Sequence, residues 1–159
     1  MDAIALLKED HAKAKKLMAE LAETTERGVK TREQKWTTLL KELTIHENIE
    51  EEIFYPALHE TDDPELKDIV LEALEEHHLV DDIVEQLKDT PFDDEHWAAK
   101  FKVTRENVEH HIEEEEGPMF KAVRRVLSRD ELEELGTRME QRKVEQMEET
   151  MPERDQVEL

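Results

Sequence analysis

The stretch Trp36-Thr37-Thr38-Leu39-Leu40-Lys41-Glu42-Leu43-Thr44-Ile45-His46-Glu47-Asn48-Ile49-Glu50-Glu51-Glu52-Ile53-Phe54-Tyr55-Pro56-Ala57 decides the fold. Its apolar residues fall three or four apart, at Trp36, Leu39, Leu43, Ile53 and Ala57, which is the period of an amphipathic helix. The stripe is interrupted by His46 and Glu50, which lie one turn apart on the same face. A carboxylate aimed at a core is costly unless it is paired or binds a metal. The stretch therefore predicts a helix that carries chemistry on its buried side.

Three further helices repeat the arrangement. The first runs from about Ala3 to Glu23 behind Asp2 as its N-cap, with Ile4, Leu7, Ala14, Met18 and Leu21 on the stripe and His11 in the gap. Thr31 and Gln34 have capping-box spacing, so the second helix is expected to start after Thr31 and to kink or end at Pro56. Asp63-Pro64 opens the third, with Val70, Ala73, Leu74, His77, Val80, Val84 and Leu87. The fourth starts near Asp94 and carries Trp97, Phe101, Thr104, Val108, His111, Glu115 and Met119. It is interrupted at Gly117-Pro118 before a last turn with Phe120, Val123 and Leu127. Met18, Met119 and Met139 read as core filler.

Short connections between four striped helices predict an all-α, antiparallel, up-down-up-down four-helix bundle over 1–127. Ser128 and Glu131 form another capping box, opening a short accessory helix over 128–146. The tail, 147–159, is polar and expected to be disordered. The composition agrees, with 42 % charged residues and few glycines or prolines.

A formal net charge of −22 disfavours nucleic acid and anionic membrane surfaces as partners. The absence of cysteine excludes disulfides, zinc–thiolate sites, cysteine-ligated iron–sulfur clusters and thiol catalysis. No apolar run approaches the roughly 20 residues of a membrane span, and the start lacks signal-peptide character. A cytoplasmic protein is expected, with its oligomeric state unassigned.

The chain repeats internally. Asp10-His11 is followed by Leu17, Glu20 and Leu21, and Glu76-His77 by Ile83, Gln86 and Leu87 at the same offsets. His46, Glu50 and Tyr55 recur as His111, Glu115 and Phe120. The separations His11 to His46 and His77 to His111 are 35 and 34 positions, so two matched hairpins bring the six ionisable groups together in mid-bundle. The repeat selects His77 over His78 and His111 over His110. His78, His110, His59 and His96 are placed at the surface or behind the ligands. Imidazole with carboxylate suits iron, manganese or zinc. One glutamate per hairpin is placed to bridge two metals, and iron is the preferred occupant. Acids next to the histidines, such as Asp10 or Glu76, can hold the second ring nitrogen, while the run Glu113–Glu116 reads as a solvated face apart from Glu115.

Other metal patterns fail. The Glu-x-x-His pair of ferritin-like sites occurs only as Glu75…His78, and the zincin motif is broken because Glu50 closes the pattern begun at His46-Glu47. No catalytic nucleophile–base pair stands out.

With these residues in view, the sequence resembles the hemerythrin-like, HHE cation-binding family over about residues 1–140. The resemblance is carried by Asp10-His11, by His46-Glu47-Asn48-Ile49-Glu50-Glu51-Glu52-Ile53-Phe54-Tyr55-Pro56, by Glu76-His77, and by His111-Ile112-Glu113-Glu114-Glu115 leading to Phe120. It implies a non-haem, carboxylate-bridged diiron centre held by His11, His46, Glu50, His77, His111 and Glu115, with Glu50 and Glu115 as bridges. It also implies a small oxygen species (dioxygen, hydrogen peroxide or nitric oxide) as the molecule handled, by catalase-like turnover or, alternatively, as an oxygen or iron sensor without turnover. Two departures stand out. Oxygen carriers of the family have a second histidine one turn beyond the position of His77; here it is Asp81, leaving Asp81 or water to fill that place. In the second hairpin proline precedes the aromatic, at Pro118, whereas Pro56 follows Tyr55, so the bends beyond the two glutamates are expected to differ.

Overall fold

The computed structural model describes residues 1–149. Helix α1 spans Ala3–Ala22 and α2 Val29–Ile49. A π turn, Glu50–Phe54, carries α2 into the short α3, Tyr55–Glu60. Helix α4 spans Pro64–Lys88 and α5 Glu95–Glu114. A second π turn, Glu115–Met119, leads into α6, Phe120–Val126, and α7 covers Arg129–Glu149. Among the described residues every element is helical. Helix α1 packs on α2, α5 and α7, and α4 packs on α5 and α3. The result is a helical bundle with an added C-terminal helix.

The helix starts follow local chemistry in most places. Asp2 accepts from the Ala5 amide, Asp63 from Leu66 and Asp94 from His96, each satisfying an otherwise orphan N–H of a first turn. Ser128 and Glu131 satisfy each other's backbone amides at 3.0 and 3.1 Å, the reciprocal capping box. Helix α2 is the exception: it starts at Val29 behind Gly28, with no side-chain cap, its cap three residues before the expected Thr31. Tertiary contacts set this start. Arg32 is buried over the Trp97 ring and donates to the Thr24 and Phe92 carbonyls, which requires the first turn to be wound already.

The bends beyond the two glutamates do not differ as expected. Both are π turns, closed by Tyr55 N–H to Glu50 O and by Phe120 N–H to Glu115 O. A π turn holds one more residue than an α turn and shifts the buried face that follows. The first hairpin shows the slip: Phe54, Tyr55 and Leu58 are buried, while the expected Ile53 and Ala57 are only partly so. An α-helix advances about 100° per residue, which would carry Tyr55 about 140° round from Glu50; the wider turn swings it back toward the bundle axis.

The core is divided. One apolar cluster contains Leu7, Ile49, Phe54, Leu58, Leu66, Phe120 and Val123. The other contains Met18, Leu21, Trp36, Leu39, Leu87, Trp97 and Phe101. Buried polar groups, including His11, His77, His111, Glu50 and Glu115, lie along the same helices between these clusters.

Helix α7 is as long as the bundle helices and runs three residues past position 146. Leu132, Leu135 and Met139 are buried on its inner face. Gly136 meets the backbone of Met1, Asp2 and Ala3 where a Cβ would collide, so only glycine permits this approach. Near its end, buried Gln146 faces Asn48 and Arg142 pairs with Glu52, Glu145 and Glu149. These contacts keep the helix wound to Glu149. The remainder of the expected disordered tail, 150–159, lies outside the described residues. No helix among the described residues is long and apolar enough to cross a membrane.

Candidate metal centre

The six side chains selected by the stripes meet in the layer between the two core clusters. His11, His46, Glu50 and Glu115 place ligand-type atoms within 4.8 Å of one another, as do Glu50, His77 and His111. Glu50 belongs to both groups. Glu50 and Glu115 are fully buried, and the four histidines are 3–12 % exposed. By contrast His78, His110 and His96 are 66, 59 and 70 % exposed, and His59 is also exposed.

Each of the four histidines turns Nε2 inward and anchors Nδ1 on an acid. His46 donates to Asp10 at 2.9 Å and His111 to Glu76 at 2.8 Å, each within its own hairpin. His11 reaches Glu116 at 2.7 Å and His77 reaches Glu51 at 2.8 Å, each across to the other hairpin. The internal repeat thus becomes an approximate two-fold arrangement. Asp10 and Glu76 serve a histidine on the next helix, not the one beside them in sequence. Glu116, read as part of a solvated face, is a hydrogen-bonding partner of His11. The signal for Glu51 and Glu116 was their shared place after the two buried glutamates.

The inner atoms satisfy one another only in part: His11 Nε2 lies 2.9 Å from Glu115 Oε1. Glu50 Oε1 lies 3.2 Å from His77 Nε2, 3.4 Å from His46 Nε2 and 3.9 Å from His111 Nε2. Yet neither Glu50 oxygen, nor His46 Nε2, has a partner in hydrogen-bonding geometry among the described residues. His77 and His111 face each other Nε2 to Nε2 at 3.2 Å. Buried polar atoms left in this state require an explanation. Nitrogen lone pairs and carboxylate oxygens converging on shared points suit divalent cations of the iron, manganese and zinc class, and the residues present fit such ions.

One residue escaped the stripe. Tyr55, 2 % exposed, donates its hydroxyl to Glu115 Oε2 at 2.6 Å and lies 3.4 Å from Nε2 of both His77 and His111. Its repeat partner Phe120 stacks on His11 and has no hydroxyl, so Tyr55 breaks the two-fold match. Asp81 does not enter the cluster; it is exposed and interacts with Glu47. Neither π turn nor cross-hairpin pairing could be seen in a linear stripe, but the repeat offset joining Tyr55 to Phe120 marked the position.

A model of the hemerythrin HHE cation binding domain matches residues 2–123. The chain belongs to this family. Comparison with curated proteins finds no match. A solved structure, that of a hemerythrin HHE cation binding domain-containing protein from Mycobacterium kansasii, superposes with a TM-score of 0.84 at 30 % identity, covering 95 % of this chain and 90 % of that one. The likeness takes in α7, beyond the matched domain.

Electrostatics of this HHE domain follow from the burial. Burial alone would lower the His46 imidazole, but the charge of Glu50 and the hydrogen bond to Asp10 outweigh it and raise it to about 10. His77, likewise opposed by burial, is lifted to about 9 by Glu50. His111 is raised further, chiefly by Glu115, and the charge of His46 holds Glu50 well below the usual carboxylate range despite burial. Histidines raised above an unfolded value of about 6.5 stabilise the metal-free fold fully below that pH. For His77 and His46 that contribution fades as pH passes about 9 and then about 10. A metal must displace these protons. Metal affinity is therefore expected to rise with pH through the neutral range, with protons released from the inner histidines at pH 7. Titration calorimetry in buffers of different ionisation enthalpy measures this directly; metal uptake without proton release would contradict it.

Proposed function

We propose that the chain is a non-haem diiron protein that reacts with a small oxygen species, hydrogen peroxide first, in a catalase-like disproportionation. The observation that carries this reading is a cavity of about 100 Å³ against the inner histidines. It is bordered by His11, His46, His77 and His111 and walled by apolar side chains such as Val80 and Val108. A water needs roughly 10–15 Å³ of such volume, so the space admits peroxide, dioxygen or nitric oxide.

On this reading His11, His46, Glu50 and Glu115 would hold one iron and Glu50, His77 and His111 the other, Glu50 being common to both groups. When bound, an iron pair supplies Lewis acidity and a two-electron reservoir beside the cavity. The chain does the rest. Asp10, Glu51, Glu76 and Glu116 fix four imidazole rings with Nε2 facing inward. The Tyr55 hydroxyl fixes Glu115. The apolar walls limit water, and Asp81 stays outside the cluster, against Glu47.

In the overall reaction one peroxide is oxidised to dioxygen and a second is reduced to two waters. Iron-loaded protein is expected to evolve oxygen from hydrogen peroxide in an oxygen electrode, and metal-free protein is not. A stable, reversible oxygenated spectrum with no oxygen evolved from peroxide would overturn this activity and favour a binding or sensing role.

A further inference from the structure

The two-fold match among the outer acids fails at one place. Asp10 and Glu76 hold equivalent positions, each against Nδ1 of the second histidine of its hairpin. The other oxygen of Glu76 lies 3.4 Å from exposed His110. The other oxygen of Asp10 accepts from Lys143 Nζ at 2.5 Å, in a pair where Asp10 is only 11 % exposed. Lys143 lies on α7, which packs on α1 and α2 of the first hairpin and falls beyond the matched domain. Lys143 and Met147 also line the cavity next to His11 and His46.

We propose that Lys143 is a positioning residue for the His11/His46 half of the metal centre. It pins Asp10, Asp10 holds His46, and α7 thereby sets how firmly that half retains its metal. The proposal rests on the diiron reading. A carboxylate held by an ammonium on one oxygen and an imidazole on the other cannot swing away. His46 Nε2 has no hydrogen-bond partner of its own among the described residues, so its aim depends on the Nδ1 anchor. Partners behind a metal-bound histidine are worth about 10–100-fold in metal affinity, and a residue one step further out belongs at the lower end. The contact adds little to α7 docking, because partly exposed ion pairs are weak and Gly136, Arg142 and Gln146 hold the helix independently.

The test is the rate at which a strong ferrous chelator strips iron from the full chain, followed by the colour of the chelate. In Lys143→Gln, one of the two irons is expected to leave about 10-fold faster while the other keeps the parent rate. Lys143→Arg restores the parent rate. Glu76→Gln accelerates the other iron, so a Lys143→Gln/Glu76→Gln double variant accelerates both. Arg142→Gln, which loosens α7 without touching Asp10, leaves both rates unchanged. Equal acceleration of both irons in Lys143→Gln, failure of Lys143→Arg to keep the parent rate, or an equal effect from Arg142→Gln would overturn the positioning role. Two irons leaving Lys143→Gln at parent rates would overturn it while leaving the diiron reading intact. A parent that takes up no iron overturns both.

Discussion

Replacing Glu50 with alanine is expected to abolish metal binding at both positions, a larger loss than any single histidine variant causes. Glu50 is the residue common to both inward ligand groups, fully buried, with Oε1 3.2–3.9 Å from three inward imidazole nitrogens. Its removal takes an anionic ligand from each ion and leaves the histidines facing one another without the charge that offsets a divalent cation. Of the two inward groups His77→Ala removes a ligand from only one, and metal content is expected to fall by about half, since the same ligand chemistry survives at the other position. Elemental analysis after iron loading and desalting distinguishes the two. Full metal content in Glu50→Ala would show that the shared carboxylate is not a ligand.

Stripping the metal is expected to lower the melting temperature substantially. The polar layer lies between two apolar clusters, and within it both Glu50 oxygens and His46 Nε2 are removed from water without hydrogen-bond partners among the described residues. An ion that binds only the folded chain at 100 to 1,000 times its dissociation constant adds about 2.7–4.1 kcal/mol. For a chain of this size each kcal/mol moves the midpoint by roughly 2–4 °C, so the loss of two such ions is expected to lower it by about 10–30 °C. Circular dichroism melts before and after chelation, at matched pH, measure it. An identical melt after verified removal would mean that the layer is held by the protein's own ion pairs.

Much of this architecture can be read along the chain. His11, His77 and His111 sit where a 3–4 apolar stripe demands a buried residue, and the duplicated spacing selects them over His78 and His110. The caps at Asp2, Asp63, Asp94 and Ser128 are local chemistry, written within three residues of each helix start. What the stripe hides depends on contacts between helices. The π turns after Glu50 and Glu115 add a residue to the period, so a uniform period places Ile53 where Phe54 and Tyr55 are buried. Proline position misleads here, because Pro118 lies inside its π turn whereas Pro56 follows the other turn, in the first residues of α3. The early start of α2 is set by Arg32 reaching Thr24 and Phe92, distant in sequence. The crossing of Glu51 to His77 and Glu116 to His11 depends on how the hairpins dock, and Lys143 meets Asp10 only once α7 lies against α1 and α2.

Metal stoichiometry of the purified, iron-loaded chain tests the central claim most directly. Two groups of inward ligands sharing Glu50 predict about two irons per chain, each removable by a strong chelator. A single tightly bound iron, with no second uptake under saturating metal, would contradict the dinuclear centre.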